Sequence, residues 1–327
     1  MTPSFILILI LTFAFGYLNG VNGAGSVIAT VISSRALKPN TALALAIISM
    51  CIGPFVFGIA VAGTISVDLI SLNAVTTPVI IAALGGAVGW IGLSTFLRIP
   101  CSTTQAFIGS LLGAAWAGFG IQAIVAPGVV KTLLALFLSP LLGIAAGYVI
   151  VKVVRRFGTW VSPSINGWFK AGQVVLSSLV AVSFGSNDGQ KLMGIVALGS
   201  MATTHSDFAI PYWSAAFAAL AMAAGTFVGS RRVVHTLGNR LYNVQPIHGF
   251  GAQTASCMVL VSSSLLGSPI SGSQVIASAI VGAGSAERLR KVRWGIFRQI
   301  LNAWVLTLPV SALVGAILYE IMARFIV

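Results

Sequence analysis

Apolar segments run through this chain almost end to end, and that restricts what it can fold into more than any other feature. Only 7% of its residues are charged and 57% are hydrophobic, whereas a soluble domain carries about a quarter charged residues to cover its surface. Lipid is therefore the expected solvent. A helix crossing a bilayer needs roughly 20 apolar residues, so a chain of 327 residues has space for about ten such segments joined by short loops. The 36 glycines suit close helix contacts and interrupted helices in membranes. The run from Phe5 to Leu18 lacks a basic leader and a cleavage site, so it reads as part of the first span.

The formal charge of +13 raises nucleic acid as a partner, but basic cytoplasmic loops account for it better. The lipid bilayer is the expected partner, and no nucleic acid is. Cys51, Cys101 and Cys257 are scattered in apolar surroundings, with neither metal spacing nor a disulfide framework. A membrane enzyme would need a nucleophile with its base, or metal ligands, clustered at membrane depth. His205, His235 and His248 fall in or near loops, and no such cluster forms. Arg298 and Asn302 open the last apolar run at helical spacing, which suits either a cavity wall or an interfacial anchor.

An internal repeat organises the chain. Pro100-Cys101-Ser102-Thr103-Thr104-Gln105 resembles Pro269-Ile270-Ser271-Gly272-Ser273-Gln274 at an offset of 169 residues, which also takes Gly113 to Gly282 and Pro140 to Pro309. Residues 1–155 and 170–327 then form two transmembrane repeats, joined by a polar, basic cytoplasmic linker over 156–169. Each repeat holds five membrane elements in the same order. Basic residues alternate between matched loops. Arg35 and Lys38 have no counterpart near 203–209; Arg231, Arg232 and Arg240 have none near 66–78; and the cluster from Arg288 to Arg298 has none over 117–130. An odd number of elements per repeat inserts the second copy upside down, as in inverted-topology transporters. With both termini outside, every Lys and Arg but Lys131, Lys191 and Arg324 falls on the cytoplasmic side. The expected location is the cell's inner membrane.

Four polar stretches interrupt the apolar runs at matching places. Backbone at membrane depth leaves the helix only where it lines a cavity, so matched interruptions mark a central site. Two of them are Asn19 to Ser26 and Ser183 to Lys191, expected as broken helices whose carbonyls and side-chain oxygens hold a cation. Asn22, Ser26, Asn187 and Asp188 are the candidate ligands. Asp188 is the one acidic residue inside a motif at this depth, where ionisable groups are costly and functional. Its structural alternative is a pair with Lys191 three residues on. The other two stretches are expected to be re-entrant Pro-Ser/Thr hairpins. Their helix N-termini, with Ser102, Thr103, Thr104, Gln105, Ser271, Gly272, Ser273 and Gln274, present N–H and hydroxyl donors to an anion. Any one hydroxyl here can equally bond back to its own helix.

These motifs, in this order, resemble the PiT family of inorganic phosphate transporters. The resemblance covers nearly the whole chain. It is most specific in Gly185-Ser186-Asn187-Asp188-Gly189-Gln190-Lys191-Leu192-Met193-Gly194 and from Pro269 to Gly284. It implies an all-α polytopic membrane protein of two inverted repeats, taking up phosphate with sodium or protons. It also implies a homodimer, and no cofactor beyond a bound sodium ion. Two departures stand out. Gly23 stands where the family's first motif has an Asp, and Ser26 where it has an Asn. One carboxylate is thereby lost, as in sulfate-transporting relatives. Phosphate carries a proton at neutral pH and sulfate does not, so a carboxylate acceptor favours phosphate. Asp188 keeps phosphate the leading expectation, with a sulfate permease or an uncoupled anion channel as alternatives.

Overall fold

The computed structural model describes residues 2–97, 99–158, 165–204, 207–240 and 245–325, with 157–158, 165, 230–240, 291 and 325 described by their backbone alone. The described residues include eleven α-helices: α1 Pro3–Ser33, α2 Pro39–Ile52, α3 Ala60–Val67, α4 Thr77–Phe96, α5 Thr103–Phe119, α6 Ala126–Gly158, α7 Ile165–Thr204, α8 Trp213–Arg240, α9 Pro246–Leu265, α10 Gly272–Glu287 and α11 Trp294–Phe325. None of the described residues forms a regular β-strand. Proline sits in the first turn of α1, α2, α4 and α9, where its missing N–H costs nothing and its fixed φ favours the helix.

Five helices (α1, α4, α6, α7 and α11) are each long and apolar enough to cross a membrane, and the bent pair α2–α3 makes a sixth. By contrast, α5 and α10 have only 17 and 16 residues, short of the roughly 20 that a full span needs. Each folds back on its predecessor, α5 on α4 and α10 on α9. The two Pro-Ser segments are the links of these helical hairpins.

The broken helices expected at Asn19–Ser26 and Ser183–Lys191 are absent, because α1 and α7 run unbroken through both motifs. The glycines there serve packing. A Cβ on Gly20 would run into the Met222 carbonyl of α8, and one on Gly185 into the Met50 carbonyl of α2. A Cβ on Gly189 would come within 2.6 Å of Pro54 Cγ. Removing side chains lets backbones approach, and the helical hydrogen bonds survive. The break falls instead between α2 and α3. A 3₁₀ turn at Gly53–Phe55 ends α2, Gly58 takes φ +74°, and the two axes meet at 68°. The left-handed φ at Gly58 is open to glycine at little cost. Residues 53–54 of this corner rest on the Gly185–Gly189 stretch of α7.

Helices are exchanged between the two sequence halves. α1 packs on α8 and α2 on α7; α5 packs on α11 and α10 on α6; α4 packs on α11 and α9 on α6. Each pair has its counterpart when corresponding elements are swapped. The seams are glycine-lined in matched fashion. A Cβ on Gly113 of α5 would collide with the Ala312 carbonyl, and one on Gly282 of α10 with the Ile144 carbonyl. Pro140 and Pro309 lie inside α6 and α11.

Arg35, Lys38, Arg288, Arg290, Arg293 and Arg298 are exposed. The side chains of Arg231, Arg232, His235, Arg240 and Lys291, and all of His205, lie outside the described residues, as does 159–164 of the expected linker.

Candidate anion and cation site

The site is built where the two short helices begin. Ser102 stands at the N-cap of α5 with φ −94° and ψ 116°, and its Oγ accepts from the Gln105 N–H at 3.2 Å. Ser271 stands at the N-cap of α10 with φ −95° and ψ 103°. The matched motifs thus adopt one backbone geometry, in which the first N–H groups of each helix lack helical partners. Ser271 Oγ lies 3.4 Å from Ser273 Oγ, so its hydroxyl points along its own turn.

The two helix starts touch. Thr104 Oγ1 donates to the Ile270 carbonyl at 3.1 Å, and Gln274 Nε2 donates to Gln105 Oε1 at 3.2 Å. Ser102, Thr103, Thr104, Gln105, Ser271, Gly272 and Gln274 are all buried, and Ser273 is half-buried. Thr103 Oγ1 donates to Asn19 Oδ1 of α1 at 2.6 Å, tying α5 to the first polar motif.

The second polar motif arrives from α7. Lys191 Nζ forms an ion pair with Asp188 Oδ1 and donates to Thr104 Oγ1 at 2.7 Å and to the Ile270 carbonyl at 2.6 Å. Both side chains of the pair are only 3% exposed. One ammonium therefore joins α7, α5 and the segment before α10. Hydrogen bonds to a charged group are worth about 1.5–3 kcal/mol each, while the loss of either partner would leave a costly unpaired charge. Next to it, Asn187 Nδ2 donates to the Ser268 carbonyl at 3.2 Å and reaches Ser263 Oγ at 3.4 Å. Asn187 Oδ1 and Gln274 Oε1 are buried acceptors with no donor. Such groups are rare, because an unmet buried acceptor costs about 1–3 kcal/mol.

The proposed cation ligands do not all converge. Asn22 Nδ2 bonds to the Leu18 carbonyl at 2.9 Å and to Thr95 Oγ1 of α4 at 3.3 Å, so its amide faces α4 and not Asp188. Ser26 is buried on α1. At Gly23, where the family motif has an Asp, the space is taken by the Phe184 ring. A Cβ on Gly23 would collide with Phe184 Cζ, and a Cβ on Gly272 would approach Phe184 Cδ2 at 2.5 Å. Arg298 and Asn302 are exposed and do not join the buried cluster around Lys191.

The Phosphate transporter family model matches residues 19–315. This chain belongs to that family. A probable low-affinity inorganic phosphate transporter of Rhizobium meliloti is 36% identical, over 97% of this chain and 96% of its own. The one from Bacillus subtilis is 34% identical, with the same coverage. The solved structure of a sodium-dependent phosphate transporter superposes with a TM-score of 0.89, covering 99% of this chain and 100% of that one. At 21% identity that likeness shows the fold alone. The family and these relatives are transporters, not enzymes.

Within this family member, three site residues escape a reading of ligand types alone: Asn19, Phe184 and the full role of Lys191. Asn19 was legible as the first residue of a polar stretch. Phe184 was not, because an aromatic beside a polar motif gives no sign of which glycines it covers. Gln190 also serves the scaffold. Its Oε1 accepts from the Val61 N–H at 2.8 Å, holding the start of α3 on α7.

Proposed function

We propose that this protein is a cation-coupled secondary transporter of inorganic phosphate. The observation that carries the reading is the joining of the two Pro-Ser helix starts around Lys191 and Asp188. Two helix N-termini with their hydroxyls supply neutral donors to a tetrahedral oxyanion, and the neighbouring ion pair supplies charge. Asn187 Oδ1 and Gln274 Oε1 stand ready as acceptors. A protonated phosphate oxygen satisfies such an acceptor, and sulfate has no proton to offer it at neutral pH. The names of the relatives, inorganic phosphate transporters, point the same way.

In this reading residues 1–155 and 170–327 are inverted copies, and the basic loops face the cytoplasm of the inner membrane. The anion binds between Ser102–Gln105 and Ser271–Gln274, and alternating access moves the helices around it. Coupling is to a cation beside Asp188; the structural neighbour named as sodium-dependent is one support for it. The sulfate reading rests on the missing carboxylate at Gly23.

Purified protein in liposomes tests this. Radiolabelled phosphate and sulfate are supplied separately, each with a sodium gradient, a pH gradient or none. Phosphate accumulation under one cation gradient is expected. Equal flux without any gradient would establish a channel instead. Sulfate accumulation in preference to phosphate would reassign the substrate, and uptake of neither would end the proposal.

A further inference from the structure

We propose that phosphate passes between the site and the basic-loop side through the seam where α1, α7 and α9 meet, and that the Phe184 ring is the door of this route. The inference rests on the transport reading above and adds the path and its gate.

The seam begins at the site. Phe184 is buried on α7, one turn before Asp188. Its ring occupies the space that a Cβ would need on Gly23 of α1 and on Gly272 at the start of α10. Leu260 of α9 closes in at the same level, since a Cβ on Gly272 would also meet its Cδ2 at 3.4 Å. The corresponding corner in the other half of the sequence is built differently. The offset of 165 residues that takes Asn22 to Asn187 also takes Asn19 to Phe184, and the offset of 169 takes Thr103 to Gly272. At that corner Thr103 donates to Asn19 at 2.6 Å, whereas at this one an aromatic ring rests on a glycine. A phenyl ring offers an anion no hydrogen bond, and an apolar constriction of this kind stops ions by excluding water.

Beyond the ring the walls turn polar, in two layers at matching depth. Thr30 and Gln253 lie seven residues from Gly23 and Leu260, about 10 Å along their helices, and Gln253 Nε2 donates to Thr30 Oγ1. Ser34 and Gln173 lie eleven residues from Gly23 and Phe184, about 16 Å along. Ser34 Oγ donates to Gln173 Oε1 at 2.7 Å, and Gln173 Nε2 donates to the Pro246 carbonyl of α9 at 2.8 Å. All four side chains are buried. The layers lead to Arg35 and Lys38, both exposed just past Ser34, and basic residues at a mouth draw anions to it.

This seam is built to part. Where α1 meets α8, α5 meets α11 and α10 meets α6, glycines put backbone against backbone. Between α1, α7 and α9 the two layers are joined by side-chain amides and hydroxyls, which exchange protein partners for water at a net cost of about 1 kcal/mol each. Gln253 Oε1 is already a buried acceptor with no donor. Water or a protonated phosphate oxygen entering the seam satisfies it.

The test uses the full chain in sealed liposomes of known orientation. Thr30→Cys and Ser34→Cys are treated with a membrane-impermeant thiosulfonate that carries a sulfonate group. Peptide mass spectrometry locates the label and keeps it apart from the three native cysteines. Val175→Cys is the lipid-facing control, at a depth between the two layers but at a position 61% exposed on α7. A thiol reacts as its thiolate, which forms in water and not in hydrocarbon. Both seam variants are expected to label at least about tenfold faster than the control, and only from the basic-loop side. Phe184→Ala is expected to lose phosphate accumulation and to let preloaded phosphate escape with no cation gradient imposed. Phe184→Leu, a smaller change, should leak in the same way to a lesser extent, and it decides if Phe184→Ala fails to fold. Labelling no faster than the control, or from the opposite side, overturns the route. Accumulation at the wild-type level in the Phe184 variants overturns the door. Either result leaves the transport reading standing, whereas wild-type uptake of neither anion overturns both.

Discussion

The polar motifs of α1 and α7 occupy corresponding places in the two halves, yet they do different work. In α7 the motif carries Asp188 and Lys191 and builds the charged centre of the site. In α1 it carries Gly20, Gly23 and Asn22. The glycines let α8 and the Phe184 ring approach, and Asn22 turns away to Thr95. Only Asn19 reaches the site, through Thr103. Matched sequence positions thus keep a similar place in the packing, while the charge sits on α7 alone. A matched position fixes where a residue stands, but the neighbour across the helix interface decides what it does.

The sharpest way to break this comparison is Asp188→Asn. It strips the ammonium of its charged partner, and breaking a buried pair from one side costs about 3–5 kcal/mol. Phosphate uptake should be abolished and the melting temperature in detergent should fall steeply. Uptake at the wild-type rate would remove Asp188 from the site.

Next comes Gly23→Ala, which drives a methyl into the Phe184 ring. Overpacking of this kind costs about 1–3 kcal/mol. Combined with Phe184→Ala, the loss should be smaller than the sum of the two single changes. Strict additivity in thermal melts would mean that the ring does not fill the place of the missing carboxylate.

The two serine caps give the smallest and most specific contrast. Ser102 accepts from Gln105 N–H, whereas Ser271 makes no side-chain cap bond. Ser102→Ala should therefore cost about 1 kcal/mol of stability, and Ser271→Ala, which removes no cap bond, less. Equal losses would show that the caps are equivalent. A phosphate-uptake defect in Ser271→Ala without a matching loss of stability would place that hydroxyl on the anion.

Much of this was legible in the sequence. The offset of Pro100 and Pro269 was enough to pair the helix starts, because proline, a capping hydroxyl and a small-residue helix mark a local structure that needs little tertiary context. The interruption of α1 and α7 was misread for a physical reason. A glycine-rich stretch permits either an unwound backbone or a close helix contact, and only the presence of Met222, Met50 and Pro54 opposite selects the second. The true break was signalled by Gly53-Pro54 and Gly58, a pattern that resembles an ordinary loop when no bend angle is known. Lys191 was visible as a partner for Asp188 at helical spacing. Its bond to Ile270 joins residues far apart in the chain, and no local pattern encodes that.

The glycine seams carry a consequence for how the molecule can move. Gly113 presses the backbone of α5 onto α11, and Gly282 presses α10 onto α6. Each short helix is thereby held, backbone against backbone at that glycine, to the last long helix of the opposite half of the sequence. Whatever rocks during a transport cycle is therefore a composite body that borrows from both ends of the polypeptide. Severing the chain at 159–164 would yield two fragments that each lack the partner helix of these glycine seams.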